Sequence, residues 1–173
     1  MKSMIRIGMF AAILSVSVFL IPPVFVPVVQ VSVTIQTLFI FLIGYILKPK
    51  EAFLSVFIYI LIGAIGLPVF SGAQGGITHL IGPTGGFILY FPFMAMLISV
   101  TKKSNQGWLY HFLYGFVFGI LMLYVIANTW LSYSLGISYV QGLMGLLIFI
   151  PFDILKWAIA YMIYHRFPKD ILV

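Results

Sequence analysis

The chain has 173 residues, of which 63% are hydrophobic, only 7% are charged and none is cysteine. A mean hydropathy of +1.20 excludes a soluble globule, in which roughly 25% of residues are charged; it also excludes a mobile nucleotide-binding domain, and the absence of cysteine excludes a disulfide framework or a cysteine metal site. The formal net charge of +6, a nucleic-acid signal in a soluble protein, here sets membrane orientation, because the sign of loop charge decides topology.

Lys2 and Arg6 open the chain, and a charge-free run of 41 residues follows from Ile7 to Leu47. A spanning helix needs about 20 apolar residues for a hydrocarbon core of about 30 Å, so this run holds two helices, expected near 4–21 and 31–47. The first has the basic start and apolar stretch of a signal peptide. It lacks a small-residue cleavage pattern and leads into Pro22, Pro23 and Pro27, so it reads as a retained helix. Lys48, Lys50 and Glu51 close the run. A second run of 50 residues, Ala52 to Thr101, supplies spans near 52–67 and 85–101 and ends at Lys102 and Lys103. A third, 49 residues from Ser104 to Phe152, extends to His165 and supplies spans near 108–128 and 141–165; Arg166, Lys169 and Asp170 close the chain.

The expectation is an all-α membrane protein: residues 1–173 as a single transmembrane domain, six helices in a compact bundle, because backbone amides in lipid must be satisfied internally. Every basic cluster then falls on one side, Lys156 alone excepted, which puts both termini in the cytoplasm. The inner turns, 48–51 and 102–107, are short and charged. The opposite connections differ. Residues 22–30 are apolar and proline-rich, 66–86 carry seven glycines and two prolines, and 129–140 are aromatic and serine-rich. Irregular backbone at membrane depth lines cavities, so this outward face is the candidate binding face.

Asp153 and Lys156 are the strongest chemical signal. Each costs on the order of 2.5–3.5 kcal/mol at the centre of a spanning helix. Counting back from Arg166 at about 1.5 Å per residue sets Asp153 about 20 Å in and Lys156 near the midplane. Spaced i,i+3 they share a helix face and either pair with each other or share a ligand; a purely structural ion pair is the alternative role. The glycine-rich loop contributes Gln74, Gly75, Gly76, Thr84 and Gly85 as candidate ligand-binding residues, since glycines let backbone amides approach a ligand; a plain re-entrant connector is the alternative there. Gln36, near the outer end of the second helix, is suited to bond either a ligand or a neighbouring helix, and Asn128 is a weaker version of the same signal. His79, His111 and His165 are too scattered for a metal site, and the tryptophans and tyrosines read as interfacial belt and core.

No GxxxxGK[ST] pattern occurs, so the chain does not hydrolyse ATP by itself. A lone carboxylate at membrane depth without a nucleophile–base pair argues against an enzyme. Small residues recur at helical spacing in Gly8-x-x-x-Ala12, Ala11-x-x-x-Ser15 and Gly115-x-x-x-Gly119, which lets helices approach closely. In a bundle this small most such contacts are internal, with the first helix the candidate for meeting another protein.

The stretch Val33-Thr34-Ile35-Gln36-Thr37, the loop Gly66-Leu67-Pro68-Val69-Phe70, the block Gly82-Pro83-Thr84-Gly85-Gly86 and the ending Phe149-Ile150-Pro151-Phe152-Asp153-Ile154-Leu155-Lys156 resemble the BioY family, the biotin-binding S components of energy-coupling factor (ECF) transporters. The resemblance covers nearly the whole chain in order. It implies a six-helix S component in a prokaryotic cell membrane that captures biotin from outside, with biotin as transported ligand and no cofactor. It also implies an ECF T component and two ECF ATPases as partners, and no nucleic acid. Gly8 and Ala12 match the small-residue motif by which S components dock on the T component, and Asp153 and Lys156 match the family's paired acidic and basic ligand residues. Two positions depart from the pattern: Phe152 stands where glycine usually precedes the aspartate, and Phe87 where tyrosine commonly follows GPTGG. The first is expected to narrow the pocket beside Asp153 and the second removes a hydroxyl. An S component for another small vitamin, or a non-transport helical membrane protein, remains open at this point.

Overall fold

Helices satisfy their own backbone, and a chain this apolar uses them almost throughout. The computed structural model describes residues 1–21, 23–27, 30–103 and 105–166; Pro22 of the first outer connection and Lys169 and Asp170 of the terminal cluster lie outside the described residues. Helix α1 (Lys2–Val16) continues through a 3-10 turn, Ser17–Phe19. A small hairpin follows, β1 (Val24–Val26) against β2 (Val31–Val33), antiparallel with Phe25 opposite Ser32. Then come α2 (Gln36–Ile46), α3 (Pro49–Ala64), the single turn α4 (Thr78–Ile81) and α5 (Gly85–Thr101). One rod is formed by α6 (Trp108–Phe116), a π turn at Val117–Leu121, and α7 (Met122–Leu135). Another is formed by α8 (Tyr139–Leu146), a 3-10 turn at Leu147–Phe149, and α9 (Ile150–Arg166).

Among the described residues, three rods have the length and apolarity to cross a membrane: Lys2–Phe19, Trp108–Leu135 and Tyr139–Arg166. The apolar helices α2 and α5 are shorter, 11 and 17 residues, or about 16 and 25 Å at 1.5 Å per residue. Helix α2 is the axis of the bundle. Every residue of it but Phe39 is buried, and it packs on α5 and α9. Helix α3 packs on both α1 and α5, and α5 on α7. Helix α1 buries only Phe10, Ala11, Leu14 and Ser15; Met4, Ile5, Gly8, Met9, Ala12, Ile13 and Val16 are exposed along its other side.

Three expectations are corrected. The helix expected from residue 31 begins at Gln36, because the β-branched Val31-Ser32-Val33 pairs in a hairpin instead. The connection expected at 129–140 shrinks to 136–138: Gly136, at φ 65°, ends α7 in a left-handed cap, and Ser138 starts α8 with a capping box to Gln141. The helix expected at 52–67 starts at Pro49, a favoured first helical residue, and ends at Ala64.

Among the described residues, the charged ones other than Asp153 and Lys156 gather at one end. Arg6 Nη2 donates to Glu51 Oε1 at 2.7 Å, joining the starts of α1 and α3. Lys102 Nζ donates to the Leu47 carbonyl at 2.7 Å, joining the ends of α5 and α2. His111, beside the Lys103 carbonyl at 3.1 Å, packs its ring near His165 at the end of α9. The hairpin and the glycine-rich loop lie at the opposite end, over the cavity described next.

Candidate functional site

A cavity of about 460 Å³ opens between the hairpin, the glycine-rich loop and the first two turns of α2, α5, α7 and α9, a volume within the range of small-molecule sites. Its polar floor is assembled from three helices. Asp153, in the first turn of α9 and 4% exposed, accepts from Thr37 Oγ1 of α2 at 2.8 Å and from Lys156 Nζ at 2.7 Å on Oδ1. Its Oδ2 accepts from the Tyr124 hydroxyl of α7. Lys156 also donates to Thr37 Oγ1 at 3.0 Å, so Thr37, Asp153 and Lys156 close a triangle. The i,i+3 spacing that put Asp153 and Lys156 on one face does bring them together, and the pair faces the cavity.

The 3-10 turn before α9 contributes Phe149 to the wall, and Phe70, Phe87 and Phe91 add further aromatic surface. Gln36 lines the cavity one residue before Thr37. Its amide donates to the Tyr59 hydroxyl at 2.7 Å and to the Val69 carbonyl at 3.1 Å, which ties α2 to α3 and to the start of the glycine-rich loop. Gln36 therefore bonds its neighbours, as its position suggested, and also lines the cavity.

Of the loop candidates, Gln74 and Thr84 line the cavity. Backbone bonds between Phe70 and Gln74 close a tight turn over the mouth, and the Thr84 hydroxyl donates to the His79 carbonyl at 3.3 Å. Gly75, Gly76 and Gly85 are not part of the lining, which corrects the expectation that they face the ligand. A Cβ on Gly75 would lie 2.3 Å from the Leu67 carbonyl oxygen, and one on Gly85 would lie 1.9 Å from that of Leu80. Gly76 sits at φ +107°, which favours glycine, and donates to the Gly63 carbonyl at 2.7 Å. These glycines fold the loop onto the bundle.

Phe152 is 48% exposed and points away from the cavity, so it does not narrow the pocket. Phe87 does line it, with its ring edge-on to Tyr124 at 6.4 Å. Asn128 is buried beside Gly142 and donates to the Tyr139 carbonyl at 2.9 Å, fastening α7 to α8 away from the site. His79 lines the cavity, whereas His111 and His165 lie at the charged end. Gly115 and Gly119 make internal contacts, against Trp157 and Phe41.

Sequence reasoning missed Thr37, Tyr124 and Tyr59. Thr37 carried a signal, a hydroxyl adjoining Gln36 at the start of a buried helix. Tyr124 carried none, one tyrosine among ten in the chain.

Comparison with known proteins agrees along the whole chain. The model of the BioY family matches residues 1–171. A relative described as a probable biotin transporter BioY, from Pyrococcus horikoshii, is 36% identical over 95% of each chain. Another so described, from Bacillus subtilis, is 33% identical over 91% of this chain and 85% of its own. The biotin transporter BioY of Thermotoga maritima is 31% identical over 98% and 97%. The crystal structure of an S-component for biotin from an ECF-type ABC transporter superposes with a TM-score of 0.86 at 26% identity, covering 95% of this chain and 89% of that one. With a family match from one end to the other, and with the matching motifs meeting at one cavity, the chain belongs to the BioY family.

Proposed function

We propose that this chain is the biotin-capturing S component of an ECF-type transporter, and that the cavity above Asp153 and Lys156 holds the vitamin. The observation that carries this reading is the convergence of the family's motif segments, on α2, the glycine-rich loop and α9, upon one cavity with a hydrogen-bonded Thr37–Asp153–Lys156 floor. The floor is charge-balanced, which suits biotin's neutral ureido head rather than its carboxylate. Asp153 Oδ2 accepts one bond, from Tyr124, and keeps a lone pair for a ureido N–H. Lys156 uses two of its three N–H donors on Thr37 and Asp153 and keeps one for the ureido oxygen. The bicyclic ring packs against Phe87, Phe91 and Phe149, and the valerate points to the mouth, where Gln74 and His79 stand. Buried polar groups built for such bonds discriminate strongly against analogues lacking them.

On this reading the bundle is embedded in the cell membrane as six helical segments, the shorter α2 and α5 packed inside it, with both termini and the charged end in the cytoplasm. Biotin enters from the outer face, and an ECF T component with two ATPases drives uptake. The exposed side of α1, with Gly8 and Ala12 open to the surroundings and no atom within 4 Å of a Cβ added at Gly8, is where a T-component helix docks. Calorimetric titration of the purified full-length protein with biotin tests the assignment. One saturable site per chain is expected for biotin and none for riboflavin or thiamine. The absence of saturable biotin binding overturns it.

A further inference from the structure

The rod from Trp108 to Leu135 is α-helical except at Val117–Leu121, where it opens into a π turn. A π turn holds one residue more than an α turn and is frequent at functional sites. One added residue rotates everything beyond it by about 100° around the axis. Gly119 lies in that turn, and a Cβ there would stand 2.3 Å from the Phe41 ring, so the rod meets α2 at backbone distance, one helical turn from Thr37. Just past the turn, Leu123 and Tyr124 reach the cavity. Gly86 brings α5 equally close on the other side, where a Cβ would lie 3.0 Å from Ala127 Cα, and Phe87 braces the Tyr124 ring edge-on.

We propose that Tyr124 is a positioning residue of the ligand site, set in register by the π turn so that its only proton is committed to Asp153 Oδ2. This assignment rests on the reading that the cavity takes biotin. Thr37 and Lys156 hold Oδ1, and without Tyr124 the carboxylate would be anchored through that oxygen alone. With both oxygens held, the carboxylate plane is fixed before the ligand arrives, and the remaining Oδ2 lone pair stays aimed into the cavity. The Tyr124 oxygen, its proton spoken for, offers only acceptor capacity on that wall. A ligand edge that pairs N–H donors with a neighbouring acceptor is thereby favoured, and the ordering is built in rather than imposed on binding.

The test is a double-mutant cycle on the purified full-length chain, with biotin affinity and thermal unfolding measured for wild type, Tyr124→Phe, Asp153→Asn and the double variant. Phenylalanine keeps the ring and its contact with Phe87, so the variant is expected to fold. Tyr124→Phe is expected to weaken biotin by about tenfold, the worth of a hydrogen bond to a charged group, and to change affinity by less than twofold when Asp153 is already asparagine. Thr37→Val gives a parallel loss and Thr37→Ser restores it. An affinity within twofold of wild type for Tyr124→Phe overturns the proposal. So does an equal loss in both Asp153 backgrounds, which would mean that Tyr124 meets the ligand without acting through Asp153. If wild type itself fails to bind biotin, the reading of the cavity falls instead.

Discussion

Arg6 meets Glu51 at 2.7 Å at the charged end of the bundle, and Lys156 meets Asp153 at 2.7 Å at the floor of the cavity. The two contacts have the same length and opposite surroundings. Around Asp153, Thr37 and Tyr124 add donors from two further helices, so that both carboxylate oxygens are engaged. Around Glu51, the second carboxylate oxygen and Arg6 Nε are buried without a hydrogen-bond partner among the described residues. A fully satisfied network is rigid and specific, whereas a partly satisfied one keeps a desolvation penalty. Length alone thus says little about what an ion pair does. The Arg6–Glu51 pair pins α1 to α3, and the Asp153–Lys156 pair, held from three helices, has the build of the ligand floor proposed above.

Neutralising each carboxylate in turn separates the two pairs. Asp153→Asn replaces an acceptor-only group with an amide facing three donors, and it leaves Lys156 without its counter-charge. Biotin affinity is expected to fall at least tenfold, by the worth of one or more charge-assisted bonds, while the protein still inserts and purifies as a monodisperse species. Isothermal titration reads the loss, and wild-type affinity in this variant would remove Asp153 from the site.

Glu51→Gln has a smaller effect and of another kind. It loses the attraction to Arg6, whose side chain is 28% exposed, and solvent screens part of that term. A destabilisation of about 1–2 kcal/mol is expected, visible as a lower unfolding midpoint in detergent, with biotin affinity within twofold of wild type. A large loss of affinity would mean that the Arg6–Glu51 pin is coupled to the cavity after all.

The same contrast explains what was legible in the sequence. Charge position located the Asp153–Lys156 pair, because a lysine and an aspartate inside an apolar run have few ways to be stable, and helical spacing put them on one face. The Arg6–Glu51 pair, 45 residues apart in the chain, appears only in the folded bundle. Hydropathy runs located the helical rods, since apolar length is a one-dimensional property. What stayed hidden depends on three dimensions. Tyr124 reaches Asp153 because a π turn and Gly119 set its register against α2, and hydrogen-bonding irregularities of that kind leave no mark in composition. In the sequence Gly75, Gly76 and Gly85 read as ligand contacts. At Gly75 and Gly85 they instead make room for the carbonyls of Leu67 and Leu80, and a glycine's letter is the same in both roles. The hairpin β1–β2 was legible in principle, as Val-Ser-Val alternation, but was outweighed by the apolar run around it. The end of α7 was equally legible, at Gly136 and the Ser138–Gln141 capping box.

The smallest expected effect joins the pin to its neighbourhood. Lys102 follows α5 and caps the end of α2, donating to the carbonyls of Tyr45 at 3.1 Å and Leu47 at 2.7 Å. Burial lowers its pKa to about 8, and the negative charge of Glu51 holds it from falling further. The unfolded chain keeps this lysine protonated up to about pH 10.4. Between about pH 8 and that value the unfolded state therefore binds more protons than the folded one, and stability rises with pH as the burial penalty on the ammonium is relieved. The unfolding midpoint of wild type is expected to climb from pH 8 to 9.5, and Lys102→Met is expected to flatten that climb. In Glu51→Gln the climb begins at a lower pH, because the charge that favoured the ammonium is gone. An unchanged onset in Glu51→Gln would mean that Glu51 does not act on Lys102, and would separate the Lys102 cap from the Arg6–Glu51 pin.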